Sequence, residues 1–178
     1  TTAKGTWHEF AMLGKHGSFA AWRGGVYEND YRLDGGVWKI SRIRYFEQYS
    51  GAYEEWGHKA PPKWNIPYHF EAAHVGVTIP ESALRSLRDV SATGSLDMRL
   101  AGLAQRLQQL DDETQVRNLQ HIYGYYLDRK MWDDVADLFT EEGTFEVARR
   151  GVYVGKARIR RALEGLYGGP RLNTGELF

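Results

Sequence analysis

The chain has 178 residues, with 23 Lys+Arg against 23 Asp+Glu and no cysteine. That length fits one domain or slightly more. The charge balance supplies no positive field for nucleic acid or an anionic membrane, and the absence of cysteine removes disulfides, thiolate nucleophiles and cysteine-bound metals. No apolar run approaches the roughly 20 residues of a membrane span. The opening TTAKGTWHEF lacks the apolar centre of a secretory signal, so a cytoplasmic protein is expected. Aromatic residues make up 13%, with 6 Trp and 11 Tyr. Rings at that density fill a core or line a small-molecule pocket, and composition leaves both open.

Residues 1–13 alternate as a strand. Ala3, Gly5, Trp7, Glu9 and Ala11 fall on one side, and Lys4, Thr6, His8, Phe10 and Met12 on the other. Gly14–Gly17 is a turn, and Ser18 to Trp22 resumes as a strand. Gly24-Gly25 reads as a bulge or close approach. VYENDYRL then places Tyr27, Asn29 and Tyr31 on one face and Val26, Glu28, Asp30 and Arg32 on the other. Asp34-Gly35-Gly36 signals a hairpin, and VWKISRIRYF is a third strand. These segments predict an antiparallel meander.

Residues 57–94 change character. Pro61, Pro62, Pro67 and Pro80 punctuate a stretch of little periodicity, read as a linker or arm whose Trp64, Ile66, Tyr68 and Phe70 lie against a surface. From Leu96 the period is helical: Leu96, Leu100, Leu103, Leu107 and Leu110 step by four, three, four, three, a short heptad pattern suited to helix or dimer contact. Asp112 with Gln115 has capping-box spacing and predicts a new helix. Its apolar stripe is Val116, Leu119, Ile122, Tyr123 and Tyr126. Asp128-Arg129-Lys130 breaks it, and a partner helix follows from Asp133 with Val135, Leu138 and Phe139 inward. Glu141-Glu142-Gly143 reads as a turn and Thr144–Val147 as a short strand. A last helix carries Ile159, Ala162, Leu163 and Leu166, and Gly168-Gly169-Pro170 stops it. No His-x-x-x-His or carboxylate cluster suggests a metal, and neither a phosphate-loop nor a G-x-S-x-G motif occurs.

The segments IYGYYLDRKMWDDVADLFTEEGTFE, GVYVGKARIRRAL and GVYENDYRLDGGVWKISRIRYF resemble the cone-shaped α+β superfamily of nuclear transport factor 2, ketosteroid isomerase, scytalone dehydratase and the SnoaL-type polyketide cyclases. The resemblance implies a curved antiparallel sheet wrapped around a helical hairpin. The halves stand in reversed order: residues 1–56 resemble the C-terminal half of such a domain, 57–94 join, and 95–178 supply a helix and the N-terminal half. A segment of a tandem-domain protein is the expectation, with a circular permutant and an exchange of halves between two chains as the alternatives.

The resemblance also implies a pocket that works by acid–base chemistry without cofactor or metal. Tyr123 stands five residues before Asp128, the spacing of the oxyanion-binding tyrosine and hairpin aspartate of ketosteroid isomerase; a plain core tyrosine reads equally from the stripe. Asp128 matches a histidine-orienting aspartate of scytalone dehydratase, or is simply a helix-end residue. Asn29 falls near the isomerase's second oxyanion donor, and His8 is the nearest strand histidine. Trp22, Tyr27, Tyr126, Trp132 and Phe139 would shape the pocket. The isomerase's general-base aspartate aligns with Val147, so that mechanism is disfavoured. The expected function is a lyase, isomerase or cyclase acting on a hydrophobic cyclic or aromatic small molecule. The protein would associate as a homo-oligomer or pair with another half-domain. The alternative is a non-catalytic ligand-binding or dimerisation module.

Overall fold

The computed structural model describes residues 1–15, 17–55, 65–70 and 95–170. The chain divides into two compact units: Thr1–His69 with Leu119–Phe178, and Phe70–Asn118. The first unit contains a five-stranded sheet in the order β1 (Thr2–Lys15), β2 (Phe19–Asp34), β3 (Val37–Ala52), β4 (Phe139–Val147), β5 (Gly151–Val154). All neighbours are antiparallel except β3 and β4, which run parallel. The segments read as opposite halves of a domain therefore share one sheet. The described residues also form three α-helices, α1 (Leu96–Asp128), α2 (Trp132–Asp137) and α3 (Lys156–Tyr167). The fold is α+β with an antiparallel-dominated sheet, as the sequence predicts. Among the described residues no helix is long and apolar enough to cross a membrane.

The meander follows from its turns. Gly35 and Gly36 take φ of 59° and 82°, the left-handed region that glycine enters without a Cβ penalty, so β2 folds directly onto β3. The irregularity predicted at Gly24-Gly25 is real, but the extra residue lies across the ladder. Gly24 pairs with Tyr49 and Gly25 with Glu47, which leaves Gln48 of β3 unmatched, while β2 runs unbroken against β1. The close approach is also real: a Cβ on Gly25 would stand 2.6 Å from the Phe46 carbonyl oxygen and 2.6 Å from the Tyr45 ring.

Three local readings are corrected. Asp112 does not start a helix: α1 is continuous over 33 residues. No proline interrupts Leu96 to Tyr123, and the two aspartates accept side-chain bonds at helical spacing, Gln108 to Asp112 at 3.2 Å and Gln115 to Asp111 at 2.6 Å. Glu141–Gly143 is not a turn between elements. It lies within β4, which begins at Phe139, and the turn-like chemistry appears as a bulge: Ile40 pairs with Phe139 but Arg42 already with Thr144. Ile122 does not join the buried stripe. Val116, Leu119 and Tyr123 are buried, whereas Ile122 is 41% exposed.

The Pro-rich reading of 57–94 lies outside the described residues except at 65–70, where Tyr68 is exposed and His69 is the anchored side chain.

The core of the first unit gathers on one face of the sheet. Tyr31, Ile40, Ile43, Phe139, Phe145, Val135, Ile159 and Leu163 are all at most 1% exposed. Ile159 and Leu163 lie at i and i+4 of α3, the spacing that puts an apolar stripe on one side of a helix.

Candidate active site

The strand register assembles a polar group on the core face. Glu9 pairs with Gly25 and Trp7 with Tyr27, while Tyr27 pairs with Tyr45. Because side chains alternate along a strand, Trp7, Glu9, Arg23, Tyr27, Asn29, Tyr31 and Tyr45 share that face. Glycine at 25 leaves the space beside Glu9 open to its neighbours. Arg23 reaches Glu9 with two bonds, Nη2 to Oε1 at 2.9 Å and Nε to Oε2 at 3.3 Å. Two phenols converge on the same carboxylate: the Tyr27 hydroxyl donates to Oε1 at 3.4 Å, and the Tyr45 hydroxyl donates to Oε2. Tyr123, entering from α1, meets the Tyr27 ring edge-on at 6.2 Å. Phe139 backs Tyr123 at 6.4 Å. The Arg23 guanidinium also lies over the rings of Tyr167 (5.4 Å) and Tyr45 (5.8 Å). One carboxylate thus holds a bidentate guanidinium and two phenols, and the ring of a third tyrosine packs behind them.

Burial governs the electrostatics. The Glu9 and Arg23 side chains are 13% and 14% exposed. Burial disfavours the Arg23 charge, but the hydrogen bond and charge of Glu9 outweigh it, so the guanidinium is held still more firmly protonated. Burial pushes the phenols of Tyr27, Tyr45 and Tyr123 well up, and the negative charge of Glu9 adds to each shift. At neutral pH all three are therefore neutral hydrogen-bond donors. Tyr167 is raised as well, through burial, with Arg23 opposing the shift.

A second polar patch lies further along β2 on the same face. The Asn29 Nδ2 and the Tyr31 hydroxyl both donate to Gln120 Oε1, at 3.0 and 2.7 Å, and Asn29 Nδ2 also reaches the Tyr31 hydroxyl at 3.3 Å. Asn29 is fully buried, and its Oδ1 has no hydrogen-bond partner among the described residues. Burial raises the Tyr31 phenol, and the Asn29 amide donor works against that shift.

The predicted site residues separate into two groups. Tyr123, Tyr27, Asn29 and Phe139 share the core face. Trp132 is buried at 1% exposure below it, donating its indole N–H to the Gly168 carbonyl at 3.0 Å and lying 6.2 Å from the Tyr167 ring. The others lie elsewhere. His8 pairs with Val26, so it points to the opposite face, and it is exposed. Trp22 is on that opposite face too, stacked on Tyr53 at 4.9 Å and packed on Phe10 at 5.1 Å. Asp128 is exposed at the end of α1, and Tyr126 is half-buried beside Tyr125. Val147 is buried opposite Tyr45, whose hydroxyl donates to Glu9 on another strand. Glu9, Arg23, Tyr45, Tyr167 and Gln120 are the residues that the sequence reading passed over. A signal existed for the first: a carboxylate alternating in phase with Trp7.

The opposite face carries a buried carboxylate with a structural role. Glu28 is fully buried and accepts from Thr6 Oγ1 at 2.9 and 3.0 Å and from the His69 backbone N–H at 2.8 Å. The His69 ring lies 3.0 Å from the Asn29 carbonyl and 3.5 Å from Asp30. These contacts tie His69 to the sheet and leave Glu28 well satisfied. Among the described residues no cluster of three or more His, Asp or Glu is arranged to hold a metal ion.

No curated protein matches the chain significantly. The family model of the SnoaL-like domain matches in two ranges, residues 1–44 and 108–175. The first holds Glu9, Arg23, Tyr27 and Asn29, and the second holds Gln120, Tyr123 and Phe139. The split is compatible with a domain whose halves stand in reversed order. The chain belongs to the SnoaL-like domain family, part of the nuclear transport factor 2-like superfamily and one that points to cofactor-independent isomerase- or cyclase-type chemistry.

Proposed function

We propose that the chain is a cofactor-independent lyase, isomerase or cyclase acting on a hydrophobic cyclic or aromatic carbonyl or hydroxyl compound. The observation that carries this reading is the convergence of Tyr27, Tyr45 and Arg23 on Glu9, with the Tyr123 ring packed edge-on against Tyr27, on a buried face. Buried neutral phenols suit a developing enolate oxygen: they donate without carrying charge, and low polarity strengthens each bond. In this scheme Tyr123 and Tyr27 bind the substrate oxygen. Glu9 takes a proton from the carbon beside the carbonyl and returns it to a second carbon or to a departing hydroxyl, which gives isomerisation or dehydration respectively. Arg23 positions the carboxylate and balances its charge. Asn29, whose Oδ1 has no hydrogen-bond partner among the described residues, is suited to orient a hydroxyl or N–H on the ligand. Asp128 and His8 have no part in the scheme, because neither joins the core-face group.

Titration with apolar cyclic ketones and phenols, following tryptophan fluorescence and product formation together, tests the proposal. Saturable binding accompanied by conversion of at least one ketone is expected. Binding of the same compounds without conversion favours a non-catalytic ligand module, and neither binding nor conversion contradicts the proposal.

A further inference from the structure

The second unit contributes residues 96–118 of α1, and its leucines are not covered. Leu96 is 69% exposed, Leu100 55%, Leu103 53%, Leu107 68% and Leu110 60%. They occupy alternating d and a positions of two heptads, with Leu100 and Leu107 at a and Leu96, Leu103 and Leu110 at d. Five leucines in water on one seam of an established helix are the arrangement that a matching helix buries by knobs-into-holes packing.

We infer that this seam pairs in parallel with the same helix of a second copy of the chain. The flanking charges select that occupant and that direction. In a parallel pair each g residue faces the e residue five positions later on the partner, so Arg106 meets Asp111 on both sides, while Arg99 meets the neutral Ala104. All five leucines then form like-with-like layers. Antiparallel alignments retain fewer leucine layers. One sets Asp97 against Asp111 and Arg106 against its own copy, gaining only Arg99 against Glu113; another sets Arg99 against Arg106. Two heptads are few for isolated peptides, but here the helix is already formed over 33 residues, so pairing does not bear the cost of nucleating it.

The test is light scattering across a concentration series, together with cysteine cross-linking, which a cysteine-free chain makes unambiguous. The expected result is a mass rising toward twice the 20.4 kDa of the monomer. It should fall back to the monomer in Leu103→Glu/Leu107→Glu, whose exposed positions leave the fold and its circular dichroism unchanged. Arg106→Glu should weaken the dimer and Arg106→Glu/Asp111→Arg restore it. Leu103→Cys, a d residue facing its own copy, should cross-link under mild oxidation. A wild type that stays monomeric, a dimer that survives the glutamates, or cross-linking that needs cysteines at both 103 and 107 would overturn the inference.

Discussion

Tyr123→Phe is expected to lower the turnover of a converted ketone about 100-fold while leaving the fold intact. One preorganised donor to a developing oxyanion is worth about 2.7–4 kcal/mol in the transition state. The substitution removes only the hydroxyl. The ring stays, with its edge-on contacts to Tyr27 and Phe139. Removing the hydroxyl should cost no more than about 1 kcal/mol of stability, a loss that urea unfolding can separate from the kinetic effect. The two quantities discriminate between roles. A buried tyrosine that serves only the core loses stability and keeps its rate; an oxyanion donor loses rate far out of proportion to stability. An unchanged turnover would remove Tyr123 from the chemistry.

The largest stability effect is expected at Trp132. It is 1% exposed, fills the space below Tyr167, and donates to the Gly168 carbonyl just beyond the end of α3. Trp132→Ala removes the ring and leaves a cavity, a change that costs about 3–5 kcal/mol. It also strips the Gly168 carbonyl of its donor. The consequence extends to the site, since Tyr167 is the ring on which Arg23 rests at 5.4 Å. Trp132→Phe should recover most of the volume but not the hydrogen bond, and so fall between wild type and alanine. A loss below about 1 kcal/mol in urea unfolding of Trp132→Ala would mean that the region collapses around the gap, which full burial in a close-packed core argues against.

Much of this arrangement was visible in the residues. Alternation with period 2 put Trp7 and Glu9 together on β1, and Tyr27, Asn29 and Tyr31 together on β2, as the register shows. The Asp34-Gly35-Gly36 turn fixed how β2 meets β3. Glu9 and Arg23 escaped notice because their meeting depends on pairing between strands: Glu9 pairs with Gly25, and Arg23 reaches it diagonally. Trp22 was misjudged for a related reason. Reading the irregularity at Gly24-Gly25 into β2 breaks the alternation count between Trp22 and Tyr27, whereas the unmatched residue is Gln48 on β3, and β2 keeps its phase. His8 needed only the phase of its own strand, which already placed it opposite Trp7. The continuity of α1 through Asp111 and Asp112 was hidden because an aspartate serves as well in a helical side-chain pair as in a cap, and only the backbone decides between them.

Glu9 is the group proposed to move a proton, and the most direct measurement of that role is deuterium incorporation. A cyclic ketone shown to bind is incubated in heavy water, and the exchange of hydrogens beside its carbonyl is followed by NMR with wild type and with Glu9→Gln. Positioned acid–base catalysis contributes about 10²–10⁴-fold, so the wild type should accelerate exchange well beyond the buffer rate and Glu9→Gln should lose about 100-fold or more of that acceleration, with its circular dichroism unchanged. Equal exchange by the two proteins, or none by the wild type with any ketone it binds, would contradict the account.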